Sequence, residues 1–463
     1  MEFNQINSIS DNSTICAVAS PAGRGGIAVI RLSGPDSLSI VEKAFSGAHK
    51  LSKNPRNAVY GEYSSIGNEI LDDMVAIYFK SPHSFTGEDT VELSLHGSTW
   101  IQREVLNDLV KRGARIAGPG EFTRRAFVNG KMDLTGAEGV ADLIAADSKK
   151  AHDIALSQLK GSFARELEKL REQLVEFASL LELELDFSEE DVEFADREKL
   201  LNLCELIISK IKRLADSFAK GKVLKEGVTV AIVGLPNVGK SSLLNLLCKD
   251  EKAIVTEIPG TTRDLIEETV EIDGVLYRFI DTAGLRESSD PVENIGVSRA
   301  REVIGKANIV IWMIDSTSKD SKQFEELDNF LSKYPDKHLI ILENKSDIKG
   351  DSIHDKEIEY TGIIPFSTFT EEGLQDLYNR LTSFTNTELS EDNFIVTNAR
   401  HYEALIKSLD SLRRVAEGLS TGLSADFIAQ DIRETLHHLG TITGAVTTDD
   451  LLHTIFSRFC IGK

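Results

Sequence analysis

The 463-residue sequence predicts a multidomain chain of mixed class, with an N-terminal α/β domain followed by a helical bundle into which a second, largely parallel α/β domain is inserted. Three observations carry this. Short strand-like runs fill the first 120 or so residues; apolar positions then step by three or four over 135–220 and again after 397; and between those helical stretches strands and helices alternate strictly. A chain this long exceeds one ordinary core and implies two to four domains. The boundaries expected are 1–120, 121–220, 221–385 and 386–463.

In the first domain AVASP, GIAVIRL, DDMVAIYF and DTVELSLHG read as strands, and TWIQREVLNDLVKRG as a helix that closes on Gly113. Leu159, Phe163, Leu167, Leu170, Leu174, Phe177 and Leu181 mark one long amphipathic helix, and Leu200, Leu203, Ile207, Ile211, Leu214 and Phe218 a second. The acidic connector between them, ELELDFSEEDVEF, reads as a solvated turn, since nothing fixes its carboxylates at metal-ligand spacing. After GKVLKEG come the strands VTVAIVG, LYRFID, ANIVIWMID, HLIILEN and GIIPFS with helical stretches between them, the pattern of an open parallel sheet. The tail is helical again, with Tyr402, Leu405, Leu409 and Leu412 and then Phe427, Ile428, Ile432, Leu436 and Leu439 on apolar faces. Packing of these on the helices of 135–220 makes the second α/β domain an insertion.

Composition narrows the partners. A formal charge of −22 argues against coating nucleic acid or membrane by bulk electrostatics, so any RNA must be gripped by a local basic patch. The four cysteines, Cys16, Cys204, Cys248 and Cys460, form no C-x-x-C pair, which points away from disulfides and zinc and toward a reducing cytoplasm. The polar N-terminus lacks a secretory apolar core, and the run from Ala307 to Ile314 is too short to span a bilayer, so a soluble chain without a membrane partner is expected.

GLPNVGKSS, residues 234–242, follows one predicted strand and opens a helix, the context that makes a glycine turn a phosphate loop. Backbone N–H groups through Asn237, Val238 and Gly239 can wrap a β-phosphate, Lys240 can neutralise β and γ oxygens, Ser241 can ligate Mg²⁺, and Ser242 begins the helix. In PGTTRD, which is Pro259, Gly260, Thr261, Thr262 and two more residues, Thr262 is the candidate switch residue for Mg²⁺ and the γ-phosphate. Asp281 opens DTAG, with Thr282, Ala283 and Gly284, and is placed for a magnesium-bound water while the Gly284 N–H approaches the γ-phosphate. In NKSD, with Asn344, Lys345 and Asp347, the Asp347 carboxylate can accept from guanine N1–H and its amino group, an edge adenine lacks, which selects GTP. Ser367, Thr368 and Phe369 occupy the loop that should back the base, in a departure from the usual Ser-Ala. Together these predict a Ras-like P-loop GTPase domain. Leu285 follows the switch glycine where many GTPases carry a water-orienting glutamine, leaving Glu287, Asp290 and Glu293 as candidates to handle the water. Locally, Asp290, Pro291 and Glu293 also satisfy a helix capping box.

The blocks PAGRGGIAVIRLSG, SFTGEDTVELSLHG, PGEFTRRAFVNGKMDLTGAEGVADLI, GLPNVGKSSLLN, PGTTRD, DTAGLRESSDPVENIG and the terminal FCIGK give the chain, over essentially its whole length, a resemblance to the MnmE (TrmE) family of bacterial tRNA-modification GTPases. The resemblance implies a potassium-activated GTPase that is a homodimer, with Asn237, Thr256, Ile258 and Thr261 as K⁺ ligands, Glu257 in the same closing loop, and Glu293 positioning water through a second water. Lys240, Asp281 and Glu293 would then carry hydrolysis. It further implies that the first domain is of folate-binding type and takes 5-formyl- or methylene-tetrahydrofolate at Arg31, Glu92, Lys131 and Lys463, with Cys460 nearby. A flavoprotein partner of MnmG type, bringing FAD, would complete a heterotetramer that modifies the wobble uridine of certain tRNAs at carbon 5. The rival expectation is a ribosome-assembly or stress-response GTPase acting only as a binding switch.

Overall fold

The computed structural model describes residues 12–186, 197–249, 254–255, 267–281, 303–318, 322–348, 362–386 and 395–462. The chain divides into two compact units, one of Met1–Ala141, Ser157–Ile207 and Lys407–Lys463, the other of Asp142–Leu156 and Ile208–Ile406.

The first unit holds a six-stranded sheet in the order β3-β4-β5-β2-β1-β6, formed by β1 (Ile15–Val18), β2 (Ile27–Ser33), β3 (Ala58–Ser64), β4 (Ile70–Phe79), β5 (Thr90–His96) and β6 (Arg115–Ile116). Neighbouring strands are antiparallel except β1 and β6. Side chains of β3 alternate between exposed and buried, as a sheet with one covered face requires. That face is packed by Ile40 and Val41 of α1 (Ser37–Glu42), Ala48 and Leu51 of α2 (Ala48–Leu51), and Val105 and Leu109 of α3 (Thr99–Lys111). The predicted helix 99–111 and its stop at Gly113 are present. β1 begins two residues before the expected AVASP run, and β3 and β6 were not predicted; Gly61 in the middle of β3 and the two-residue length of β6 remove the usual strand signal.

Helices follow this sheet along the chain, those stretches of them within 142–156 and 208–406 belonging to the second unit. After α4 (Glu121–Val128), α5 (Leu134–Ile144) and α6 (Lys149–Leu159) come the long α7 (Ser162–Asp186) and α8 (Arg197–Asp216). Leu167, Leu170, Leu174 and Phe177 are fully buried on α7, which confirms the step of three and four. The tail forms helices at Ala399–Thr421, Ala425–Thr443 and Asp449–Phe456. They pack as expected, with Arg171 Nη1 donating to Leu436 O at 3.2 Å and the Cys204 thiol to Leu412 O at 3.5 Å.

In the second unit, α9 (Phe218–Glu226) leads into a seven-stranded sheet. Its strands are β7 (Val228–Gly234), β8 (Ile254–Val255), β9 (Glu267–Ile272), β10 (Val275–Asp281), β11 (Ile309–Asp315), β12 (His338–Asn344) and β13 (Ile364–Pro365), in the order β13-β12-β11-β7-β10-β9-β8. From β13 to β10 all pairs are parallel, whereas β9 and β8 are antiparallel additions at one edge. Two cores lie on the two faces. Val230, Ile232, Phe279, Ile311 and Leu342 point toward α10 (Lys240–Lys249) and α12 (Leu374–Asn386), and Ala231, Val233, Val310, Trp312 and Ile341 toward α11 (Lys322–Lys333). A strand covered on both sides reads as an unbroken apolar run, which is why VTVAIVG and HLIILEN were recognisable at their observed limits. Where the chain returns from this sheet, Phe218 stacks on Tyr402 at 4.6 Å between centroids and Val396 N donates to Ser217 Oγ at 3.0 Å.

No helix among the described residues is long and apolar enough to cross a membrane.

Candidate functional site

The C-terminal ends of the parallel strands bring three separated stretches together, the place where open α/β sheets build their binding crevices. β7 ends at Gly234, the loop follows, and α10 starts at Lys240. Asn237 takes a left-handed φ of 64° and Gly239 one of 103°. A Cβ on Gly239 would stand 2.2 Å from Asn344 Nδ2, so glycine is required there both for its backbone angle and for that approach. Lys240 is 6% exposed, and its Nζ donates to the carbonyls of Gly234 at 3.1 Å and Leu235 at 2.8 Å. The lysine head is therefore held across the mouth of the loop, at the start of a helix whose N–H groups are directed the same way. Asn237, Ser241 and Ser242 are exposed and Val238 is buried.

Asn344, 1% exposed at the end of β12, is the connector. Its Nδ2 donates to Val238 O at 2.7 Å and its Oδ1 accepts from Thr368 N at 3.2 Å, tying the phosphate loop to the loop after β13. Ser367 is buried; its hydroxyl donates to Asp347 Oδ1 at 2.6 Å and accepts from the N–H groups of Phe369 at 3.2 Å and Thr370 at 3.1 Å. The departure at Ser-Thr-Phe thus leaves the serine role intact, and the Phe369 side chain is 87% exposed. Lys345, at φ 68°, forms a 2.5 Å ion pair with Asp315 Oδ2, whose other oxygen accepts from Thr317 N and Oγ1. Burial alone would raise the Asp315 carboxyl, but the Lys345 ammonium and the Thr317 donors outweigh it and hold the carboxyl below its ordinary value. Asp315 was not singled out from sequence; its only signal was an acidic residue at the end of an apolar strand.

Asp281 ends β10, in register with Ile232 of β7, so its backbone lies beside the strand that feeds the phosphate loop. Thr256, Glu257, Ile258, Pro259, Gly260, Thr261, Thr262, Thr282, Ala283, Gly284, Glu287, Asp290, Glu293 and Lys463 lie outside the described residues.

A second constellation forms in the first unit. Arg31 and Glu92 are cross-strand partners on β2 and β5, and Arg31 Nε donates to Glu92 Oε1 at 2.8 Å. The guanidinium lies 5.4 Å from the Phe85 ring centroid and 5.7 Å from that of Phe122, within cation–π range. Lys131 Nζ donates to Pro82 O at 3.0 Å, so Arg31 and Lys131 both border the loop 81–89. The chain end arrives beside them, as Gly120 N donates to Cys460 O at 3.3 Å and Pro119 bridges Ile461. A Cβ on Gly462 would lie 2.2 Å from Val18 O, which explains the glycine of CIGK. Cys460 itself is exposed.

This loop is supported by residues that sequence reasoning missed. Ser33 Oγ donates to Glu88 Oε2 at 2.7 Å, Arg125 Nη1 reaches Glu88, and Glu121 accepts from Arg125 at 3.0 Å, from Arg115 at 2.7 Å and from Gly118 N at 2.8 Å. Burial favours a raised Glu121 pKa, but these donors together hold the carboxyl below its ordinary value. The signal available was the i,i+4 spacing of Glu121 and Arg125 in PGEFTRR.

The family described as GTP-binding protein TrmE N-terminus matches residues 14–131, and the MnmE helical domain matches residues 134–460. A tRNA modification GTPase MnmE from Christiangramia forsetii is 47% identical, over 98% of this chain and 99% of its own. One from Flavobacterium psychrophilum is also 47% identical, again over 98% and 99%. Among solved structures, the G domain of the T. maritima FeoB iron transporter is 28% identical, with 34% of this chain and 99% of that one covered and a TM-score of 0.27. With matching families from residue 14 to residue 460 and nearly half of all positions shared over full length, this chain is a GTPase and belongs to the tRNA modification GTPase MnmE family.

Proposed function

We propose that the chain hydrolyses GTP in a potassium-dependent way and, as a homodimer in a heterotetramer with an FAD-carrying flavoprotein of MnmG type, modifies carbon 5 of the wobble uridine in certain tRNAs. The observation that supports this reading is the pair of hydrogen bonds at Asn344, which tie the phosphate loop to the loop after β13, where the Ser367 hydroxyl holds Asp347. Asp347 accepts from guanine N1–H and the exocyclic amine, and the Ser367 hydroxyl holds the carboxylate in the plane for that two-point contact. Lys240 and the loop N–H groups neutralise β and γ oxygens. Asp281, Gly284 and Thr262 complete the γ-phosphate side, and Glu293 orients the attacking water in place of the glutamine that Leu285 replaces.

The donors here are hard oxygen atoms suited to small hard cations. Ser241 and Thr262 would hold Mg²⁺, and Asn237 with Thr256, Ile258 and Thr261 would hold K⁺. When bound, these ions neutralise charge that develops between the β and γ phosphates. In the first unit, Glu92, paired with Arg31 through one oxygen, would accept from a pterin edge, and Lys131, Lys463 and Cys460 would be its companions in the folate site. A one-carbon tetrahydrofolate fits this set of a fixed carboxylate, cations and aromatic rings, and when bound it supplies the carbon. The domain division 1–120, 121–220, 221–385 and 386–463 assigns folate and dimerisation to the first segment and GTP to the third.

Mass spectrometry of wobble nucleosides from cells lacking this protein tests the reading: loss of the aminomethyl-type uridines is expected. Intact wobble uridines with accumulated ribosomal precursors would instead establish the ribosome-assembly alternative. In the purified protein, turnover should be at least ~10-fold faster in KCl than in NaCl at equal ionic strength, since an ion in an arginine-finger role carries a large rate factor. Asn237→Ala should abolish the difference.

A further inference from the structure

At the other end of the sheet of the second unit lies a cavity of about 860 Å³. The phosphate loop leaves the C-terminal end of β7 at Gly234, whereas this cavity is lined by Gly227 and Thr229 at the N-terminal end of that strand, so the two sites are distinct. Four cationic residues line it: Lys220 and Lys222 from α9, Arg278 from β10, and Lys306 from the segment before β11. Glu226 is the one acidic side chain among its lining residues, so cationic residues predominate there on a chain whose formal charge is −22, and a lining of this kind suits an anionic occupant. The neighbouring Lys225 is engaged elsewhere, by a 2.7 Å ion pair with Asp142.

Two further observations define the occupant. Arg278, one of the lining residues, has a buried Nε with no hydrogen-bond partner among the described residues, a donor that calls for an acceptor. Phe384 forms part of the wall, half-buried and with the His338 ring 5.2 Å away, which places an aromatic ring among the cations. Cations together with an aromatic platform are the means by which proteins hold single-stranded nucleic acid. Lys222 and Lys306 line the cavity and are also exposed, so a polyanion that continues out of it stays within reach of their charges.

We propose that this cavity takes RNA, with backbone phosphates on Lys222, Lys306 and Arg278 and one unstacked base against Phe384. The inference rests on the tRNA reading above and supplies the local basic grip that so acidic a chain needs.

The test is the affinity of the full-length protein for an unmodified tRNA transcript, measured by anisotropy across a range of KCl concentrations. Lys222→Glu with Lys306→Glu should weaken binding at least ~10-fold and flatten the plot of log affinity against log salt by about one to two, because each phosphate contact contributes nearly one to that slope. Lys333→Glu, on α11, should change affinity less than about twofold. Arg278→Gln should weaken binding without a change in GTP turnover measured in the absence of RNA. Wild-type affinity and slope in the double variant would overturn the proposal, as would equal losses in the double variant and in Lys333→Glu, which would mean bulk electrostatics alone. Binding of uridine monophosphate that the double variant abolishes while tRNA affinity stays unchanged would overturn it in favour of a small-molecule site. Loss of wobble modification in deleted cells combined with unmoved tRNA affinity in the variants would defeat this inference and leave the proposed function standing.

Discussion

The phosphate-loop site and the Arg31 constellation are built by opposite means. The first is held by backbone carbonyls, amides and one buried asparagine, drawn from loops that each follow a parallel strand. The second is held by charged side chains from two strands, a loop and a helix far apart in sequence, with the chain end beside them. A main-chain site imposes glycine, or a left-handed residue, at fixed positions, and it tolerates little change there. A side-chain site can be rebuilt with other residues, and its tolerance depends on how well its ion pairs are satisfied.

The largest effect should come from attacking the backbone. Gly239→Ala places a methyl group against Asn344 in a left-handed conformation, and GTP binding should weaken by more than ~100-fold while titration with 5-formyltetrahydrofolate stays unchanged. Equal loss of both ligands would show that the two sites are not independent. Next, Glu121→Gln removes the carboxylate that Arg115 and Arg125 share and should cost about 2–4 kcal/mol of stability in the first unit at pH 7. The Glu121 pKa is depressed on folding, so its contribution is full above the ordinary value of 4.5 and is lost as pH falls through the folded one. The deficit measured by denaturant unfolding should therefore shrink below about pH 4.5; a deficit constant with pH would mean that packing, not charge, is what the variant removes. The smallest effect is expected of Ser367→Ala, which leaves Asp347 in place without its hydroxyl partner and should weaken GTP by about fivefold, or ~1 kcal/mol. No change there would mean that backbone position alone orients Asp347.

The same contrast explains what could be read in advance. GLPNVGKSS and NKSD were legible because local backbone geometry dictates their residues, and the two strands ahead of them because both faces are buried. The antiparallel edge escaped notice: β8 is two residues long, and β9, EETVEI, carries three acidic residues that mask its period-two alternation. Helix α4 was not predicted either, since its eight residues begin at a left-handed glycine without a side-chain cap. Arg31 and Glu92 were nameable through family resemblance alone, because a cross-strand pair 61 residues apart leaves no local pattern. Arg125 and Glu88 went unnamed for the same reason.

Selection of GTP rests on the reading of guanine by Asp347. Affinities of Asp347→Asn for GTP and xanthosine triphosphate, measured side by side with the unaltered protein, decide it. A preference reversed toward xanthosine triphosphate, with GTP weakened by at least ~100-fold, is predicted; GTP affinity equal to that of the unaltered protein would contradict it.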